Sequence, residues 1–198
     1  MNKKILKSIP SLLLAYLTIK LLFSINELPN HGVGWTISIV FGALLCLYIT
    51  GVFAFVGFQF PTHTLLPDSY YQIKNPKLTM TIHKLLGVKY FNVFLMIFIW
   101  GKPGQREKFF DGTRSGINHL MYMTKQSEFG HVGALMIIMI ISVWLISLGL
   151  IKMVIVATII NILFNLYPVI LQRKHRVRID RMSKIMTHRN KPKSRLPK

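Results

Sequence analysis

The sequence predicts an all-α integral membrane protein with about four transmembrane helices and a cytoplasmic loop of interfacial or re-entrant helices. The chain of 198 residues is 52% hydrophobic and only 16% charged, whereas soluble domains carry about 25% charged residues. Several charge-poor apolar runs are also close to or longer than the roughly 20 residues that a helix needs to cross a bilayer. We therefore expect a single membrane domain that covers residues 1–198.

Four apolar runs define the expected spans. In the first, Lys20 lies near enough to a helix end to reach the interface with its flexible side chain. The stretch 132–171 contains one charged residue, Lys152, and is about twice as long as one crossing requires. We expect it to form two helices with a turn at 148–152. The expected spans are 9–25, 35–60, 132–149 and 153–171.

The basic residues predict the orientation of these spans, because Lys and Arg accumulate on the cytoplasmic side of membrane proteins. Three lysines precede the first span, nine Lys and Arg lie in 61–131, and eleven lie in 173–198. The connection 26–34 has none, and the turn between the last two spans has only Lys152. We therefore expect a multi-pass cell-membrane protein with a cytoplasmic loop (61–131), a basic cytoplasmic tail (173–198) and both termini in the cytoplasm.

The loop contains two segments that we expect to contact the membrane without crossing it. Leu78 to Lys89 mixes basic and apolar residues, which favours a helix lying on the membrane surface. The apolar run from Tyr90 to Trp100 is too short to span and is predicted to be re-entrant or interfacial. Turns are expected at Gly101–Gly104 and at Asp111-Gly112.

Glu128 and His131 stand immediately before the third span and are the candidate catalytic residues. At a spacing of three they lie on neighbouring positions of a helix face. A carboxylate beside an imidazole suits a general base that deprotonates an alcohol. The alternative is an interfacial ion pair, although ionisable groups inside a membrane are often functional.

A polar stripe runs along the fourth span, where Asn161, Asn165, Pro168 and Gln172 fall within roughly 60° on a straight helix. Lipid cannot satisfy side-chain amides, so the stripe should face other helices or a polar cavity. It could serve only helix packing, or Asn165 and Gln172 could line the site around His131. Pro168 is expected to kink the span and to free a backbone carbonyl.

Basic and aromatic residues supply further candidates. Arg173 and Arg176 follow the stripe and could bind anionic lipid head groups or the phosphates of a donor such as coenzyme A. Tyr70 and Tyr71 could be interfacial anchors and are included as substrate-binding candidates. The single cysteine, Cys46, excludes a disulfide framework. The histidine spacing matches no common metal motif, so no metal is expected.

Three short segments together resemble a known family. Ser127-Glu128-Phe129-Gly130-His131 resembles the E-x-x-H segment of the bacterial glycosyl-diaponeurosporenoate acyltransferase family. The stretch from Asn165 to Arg173 is similar to its N-x-x-P…Q-R segment, and Arg176-Val177-Arg178 is similar to the R-x-R run that follows. Leu66-Pro67-Asp68-Ser69-Tyr70-Tyr71 resembles its opening. The resemblance covers roughly residues 65 to 186.

The resemblance implies transfer of a fatty acyl chain to a sugar hydroxyl of a membrane-bound glycolipid, as in carotenoid biosynthesis. It implies catalytic roles for Glu128 and His131, and a site lined by Asn165, Gln172 and Arg173. The co-substrate would be an acyl donor such as acyl-CoA or acyl carrier protein, and no cofactor is expected.

Two other functions stay open at this point. In one, the protein is a non-enzymatic membrane adaptor, in which Asn161 and Asn165 bind a partner helix and the tail binds anionic lipid. In the other, it is a different membrane transferase, such as a methyltransferase acting on a lipid-like substrate. The expected partners are membrane lipids, including anionic head groups, and a lipid-like acyl acceptor, with no nucleic acid.

Overall fold

The structure, a computed structural model, describes residues 3–29, 33–98 and 113–189. In these ranges all regular secondary structure is helical, and four helical segments are long and apolar enough to cross a membrane. The predicted fold class is therefore confirmed. The apolar segments run over Ser8–Asn26, Trp35–Gly57, Ser115–Ser147 and Ile151–Met186.

The helices are numbered in chain order. A 3-10 turn, Thr62–Thr64, follows the second of them, and a π-helical segment, Ile162–Leu166, separates the last two. The α-helices are α1 (Lys3–Asn26), α2 (Trp35–Gly57), α3 (Asp68–Tyr71), α4 (Pro76–Leu85), α5 (Val88–Phe98), α6 (Arg114–Ser147), α7 (Ile151–Asn161) and α8 (Tyr167–Arg189).

The third predicted span proves to be the second half of a much longer helix. Helix α6 begins at Arg114, where the Thr113 hydroxyl accepts a hydrogen bond from the Gly116 backbone N–H at 3.0 Å. Its first half belongs to the stretch that we predicted as loop. Hydropathy could not reveal this extension, because it marks the apolar part of a helix and not its polar continuation.

The turn and the fourth span also differ in extent from their expected bounds. Helix α6 ends at Ser147, and Gly149 then adopts a positive φ of 72°, as expected for a tight turn. After this turn the helical path continues past residue 171 to Arg189. The described part of the predicted basic tail is therefore helical.

The core lies between α1, α2, α6 and α7. Ile25, Leu45, Ile138 and Met153 are fully buried there, one from each helix. Small residues allow close approach, as is usual between helices in membranes. A Cβ added to Gly42 of α2 would lie 3.1 Å from a methyl group of Val156 on α7.

The loop helices α4 and α5 cover one side of α8. The Asn75 side chain caps α4 by accepting a hydrogen bond from the Leu78 backbone N–H at 3.0 Å. The helix predicted over Leu78–Lys89 is interrupted at Gly87, whose φ of 64° ends α4 and allows α5 to begin. Val88 then packs against Leu171 of α8. Trp100 and the turns predicted at 101–104 and 111–112 lie outside the described residues.

The length of α6 fixes the depth of the candidate catalytic residues. Its 34 residues extend over about 51 Å at 1.5 Å per residue, whereas the hydrocarbon layer is about 30 Å thick. About 20 residues suffice to cross this layer, and counting them back from Ser147 reaches Glu128. In a bilayer, the predicted site would therefore lie near the boundary on the side of the 58–113 loop.

Candidate active site

A chain of side-chain amides connects α7 to His131 of α6. The backbone carbonyl of Leu135 can only accept, so it receives the Asn161 Nδ2–H, at 3.2 Å. Asn161 Oδ1 then accepts from Asn165 Nδ2 at 2.9 Å, and Asn165 Oδ1 faces His131 Nδ1 at 3.2 Å. The direction of these bonds requires that His131 Nδ1 donates. In the neutral ring, Nε2 consequently carries the free lone pair.

The π-helical segment supports this arrangement. Pro168 has no N–H, so the Phe164 carbonyl lacks its usual α-helical donor four residues on. The prediction that Pro168 frees a backbone carbonyl concerns this group. The Tyr167 N–H meanwhile donates to the Ile162 carbonyl, which closes the wider turn. Asn165 lies within this π turn, and such turns occur frequently at functional sites.

A second polar cluster surrounds Glu128, whose side chain is fully buried. Arg173 Nε donates to Glu128 Oε1 at 2.9 Å, and Arg176 Nη2 donates to Glu128 Oε2. The Arg176 side chain is 2% exposed and the Arg173 side chain 38% exposed. The buried carboxylate is thus compensated by two guanidinium groups from α8.

Contrary to our expectation, the structure does not place the carboxylate of Glu128 against the imidazole of His131. Both carboxylate oxygens bind arginines, while His131 Nδ1 binds Asn165. A spacing of three separates the two side chains by about 60° around α6. On this helix the difference is enough to direct them toward different partners, and the charged guanidinium groups are stronger partners for a carboxylate than a neutral imidazole.

Both tyrosine candidates pack against these arginines. The Arg173 guanidinium lies 5.3 Å from the ring centroid of Tyr70, and that of Arg176 lies 5.6 Å from the ring centroid of Tyr71. Tyr71 is only 2% exposed. Burial, followed by the charge of Glu128, raises the pKa of Tyr71 to about 12 and also raises the pKa of Tyr70. The Tyr71 phenol is therefore neutral at physiological pH.

The structure gathers all nine predicted site residues at or beside the contact of α6 with the last span. Gln172 Nε2 donates to Ser127 Oγ at 3.1 Å, so the polar stripe does face another helix. We did not predict Thr50 of α2, whose hydroxyl accepts from Asn165 Nδ2 at 3.0 Å. Its only signal was a hydroxyl within an uncharged apolar span. The interaction of His83 Nε2 with Lys174 Nζ, at 3.1 Å, was also not predicted.

Two cavities lie on different sides of α6. The first has a volume of about 160 Å³ and is mostly apolar. His131, Ser127 and Thr50 contribute polar groups to it, and Phe53 and Phe58 contribute apolar walls. The second, of about 480 Å³, is lined by Arg176, Tyr71 and the neighbouring polar residues. Thus His131 faces an apolar space, whereas the Glu128 cluster borders a polar one.

Comparison with known families gives a match over residues 67–185, to the family described as glycosyl-4,4'-diaponeurosporenoate acyltransferase. No curated protein and no solved structure matches the chain. The matched region covers more than half of the sequence and contains His131, Glu128 and the polar residues of the last span. The chain therefore belongs to the glycosyl-4,4'-diaponeurosporenoate acyltransferase family.

Proposed function

We propose that the protein is a membrane acyltransferase that moves a fatty acyl chain to a hydroxyl of a membrane-embedded glycolipid or related lipid acceptor. The observation that carries this proposal is the hydrogen-bond chain from Leu135 through Asn161 and Asn165 to His131. It holds the imidazole in the tautomer in which Nε2 can accept a proton. A fixed tautomer is what a general base requires.

In this proposal His131 Nε2 takes the proton of the acceptor hydroxyl while the hydroxyl oxygen attacks the carbonyl carbon of an acyl thioester. The donor is acyl-CoA or acyl carrier protein. A new C–O bond forms, the C–S bond breaks, and the leaving sulfur takes the proton from the imidazolium. The products are an ester and a free thiol. Asn165 acts as a positioning residue, because it touches the imidazole and not the reacting atoms.

The cavity beside His131 suits an acyl chain or the apolar part of a lipid acceptor. Phe53, Ala54, Phe58 and Met123 provide apolar walls close to the imidazole. Apolar enclosure excludes water, which would otherwise compete with the acceptor hydroxyl for the thioester. Because His131 lies three helical residues, or about 4.5 Å, deeper than Glu128, the acceptor would approach from the bilayer and the donor from the aqueous boundary.

The Glu128 cluster has a different role in this mechanism. Glu128 binds and orients both Arg173 and Arg176, and its one negative charge offsets only one of their two positive charges, so that a net positive charge stands close to the membrane boundary. We assign these arginines, with Tyr70, Tyr71 and Gln172, to binding of anionic donor or lipid groups. Glu128 then supports catalysis through the arginines rather than through His131.

We further propose that the protein lies in the cell membrane with both termini in the cytoplasm. The alternation of basic residues between successive connections supports this orientation. A reporter fused after Lys198 should be active only in the cytoplasm. Activity of an exported reporter at that position would contradict the topology.

The adaptor alternative loses its main support in this fold. Its partner helix was expected to bind the amides of Asn161 and Asn165, but both amides bond within the chain. Replacing both by Leu should therefore impair transfer. Loss of a copurifying protein with unchanged transfer would favour the adaptor instead.

The test is mass spectrometry of lipids from cells that carry the wild-type protein, a deletion, His131→Gln or His119→Gln. His119 lies on the same helix and is exposed, so its variant is a matched control. We expect an acylated lipid to disappear in the deletion and in His131→Gln, with accumulation of its unacylated precursor. Full product in a normally inserted His131→Gln variant would refute the proposed base, and an accumulating methyl-deficient lipid would indicate a methyltransferase.

A further inference from the structure

The second cavity shares no lining residue with the cavity of His131. It has a volume of about 480 Å³ and lies between the segment after α2, the polar half of α6, and α8. This volume is large enough for a polar group with several heavy atoms. Its lining residues are Asp68, Tyr71, Gln72, Ile73, Lys74, Met121, Lys125, Arg176 and Asp180.

Two buried side chains at this cavity have polar atoms without a partner among the described residues. Arg176 uses Nη2 for Glu128, but its Nε and Nη1 have no hydrogen-bond acceptor. The Tyr71 hydroxyl is also buried and unpartnered. Buried donors without acceptors are rare in folded proteins and carry a substantial desolvation penalty. An arginine has donors only, so the missing group must be an acceptor.

The surrounding charges favour an anionic acceptor. Lys125 Nζ lies 5.4 Å from the ring centroid of Tyr71, on which the Arg176 guanidinium also packs. Lys74 supplies a third cation. Of the two acids, Asp68 is paired with Lys125 at 2.6 Å, and Asp180 is an exposed residue. Both acids, like Lys74, are therefore at positions where water can screen them, whereas Arg176 is buried.

We propose that this cavity is a binding site for an oxyanion of the phosphate-ester class, held by Arg176 and the Tyr71 hydroxyl and attracted by Lys74 and Lys125. Hydrogen bonds from a guanidinium to a phosphate oxygen are charge-assisted and therefore strong. Nε and Nη1 of Arg176 lie on different sides of the guanidinium, so each can donate a single hydrogen bond to an acceptor while Nη2 holds Glu128.

The same phosphate chemistry could come from two sources. One is the phosphopantetheine part of an acyl thioester donor, and this assignment rests on the proposed transferase function. The other is the head group of an anionic phospholipid, since the site lies near the expected membrane boundary. The binding site itself is common to both sources, so the experiment must measure them separately.

The experiment uses the full-length protein in nanodiscs of phosphatidylcholine, which has no net charge. Binding of coenzyme A is measured by calorimetry, and retained phosphatidylglycerol is measured by native mass spectrometry after exchange into mixed lipid. Tyr71→Phe removes one hydroxyl and keeps the ring, and Lys74→Gln removes one exposed charge. Lys77→Gln is the matched control, because Lys77 is exposed nearby and does not line the cavity.

We expect Tyr71→Phe and Lys74→Gln each to weaken coenzyme A binding about five- to tenfold, with Lys77→Gln unchanged. If these two variants bind coenzyme A normally but retain about five- to tenfold less phosphatidylglycerol, the anion site stands and its assignment to the acyl donor is overturned. If both ligands bind all three folded variants as they bind the wild type, the site is refuted.

These outcomes are separable from those of the proposed function, because binding is measured without turnover. His131→Gln should bind coenzyme A with wild-type affinity and fail in transfer. If His131→Gln transfers normally while Tyr71→Phe loses coenzyme A binding, the oxyanion site stands and the proposed base fails. If His131→Gln fails in transfer while Tyr71→Phe binds both coenzyme A and phosphatidylglycerol as the wild type does, the base stands and the oxyanion site is overturned.

Discussion

Glu128→Gln tests whether the buried charge cluster stabilises the contact between α6 and α8. The substitution keeps the shape of the side chain but leaves Arg176, 2% exposed, beside a neutral amide. Removing one partner of a buried ion pair costs about 3–5 kcal/mol, because the remaining charge stays desolvated. Arg173 adds less to this penalty, since its side chain is 38% exposed and water screens it.

The magnitude can be measured as a shift in the thermal midpoint of the purified protein in detergent. For a chain of this length, 1 kcal/mol corresponds to about 2–4 °C, so we expect Glu128→Gln to lower the midpoint by roughly 6–20 °C. Asp68→Asn is the control, because it breaks an ion pair whose carboxylate is 84% exposed. That variant should leave the midpoint unchanged within error.

A double-substitution cycle gives the decisive comparison. Arg176→Met alone should destabilise the protein by removing a partner of Glu128. The double variant Glu128→Gln/Arg176→Met removes both buried charges, so it should be more stable than the sum of the single effects predicts, by about 2 kcal/mol. Additive effects within about 0.5 kcal/mol would refute the coupling of these two side chains.

Three further predictions concern other parts of the molecule. His83 has a pKa below its ordinary value of 6.5 because it is buried and lies beside Lys174. As the pH falls through about 6.5, the imidazole therefore takes up a proton in the unfolded chain before it does so in the folded chain, which costs stability. His83→Gln should reduce this loss, as measured by thermal midpoints from pH 8 to pH 5. The pKa of Tyr71 is instead raised, from an ordinary value of 10.0 to about 12, so the folded chain holds this proton more tightly than the unfolded chain. The stability that this provides should be lost as the pH rises from about 10 to about 12, and Tyr71→Phe should flatten that part of the profile. In Gly133→Ala a new Cβ would lie 2.7 Å from Cδ1 of the Phe53 ring, which must move within the wall of the His131 cavity. Acyl transfer should fall, while Gly51→Ala, which meets only the flexible tip of Leu14, should be tolerated and serves as the comparison in the same assay.

The spans could be predicted because the bilayer imposes a simple requirement on composition. The charge-free run beginning at Trp35 and the turn around Gly149 both follow from hydropathy and length. The polar stripe was predictable for the same reason, since lipid offers no partner for Asn161 or Asn165. These side chains accordingly bond with one another and with α2 and α6.

The partners within the site could not be derived from spacing alone. Glu128 and His131 are neighbours on α6, and only the position of α8 determines that the carboxylate binds arginines 45 and 48 residues away. Likewise, the polar half of α6 contains no hydropathy signal that separates a helix from a loop. Local periodicity gives the face of a helix, but the element that packs on this face depends on the tertiary fold.

The π-helical segment Ile162–Leu166 makes the effect of a change in chain length depend on where in the last span it occurs. Its hydrogen bonds reach back five residues instead of four, so it holds about one residue more per turn than an α-helix. Deleting one residue within it would restore an ordinary α-helical turn, and Gln172 and Arg176 would still meet Ser127 and Glu128. Deleting one residue between the segment and Gln172 would instead rotate everything after it by about 100° and shift it by about 1.5 Å. Relatives with a one-residue gap would thus keep the imidazole and the arginine cluster together in the first case and separate them in the second.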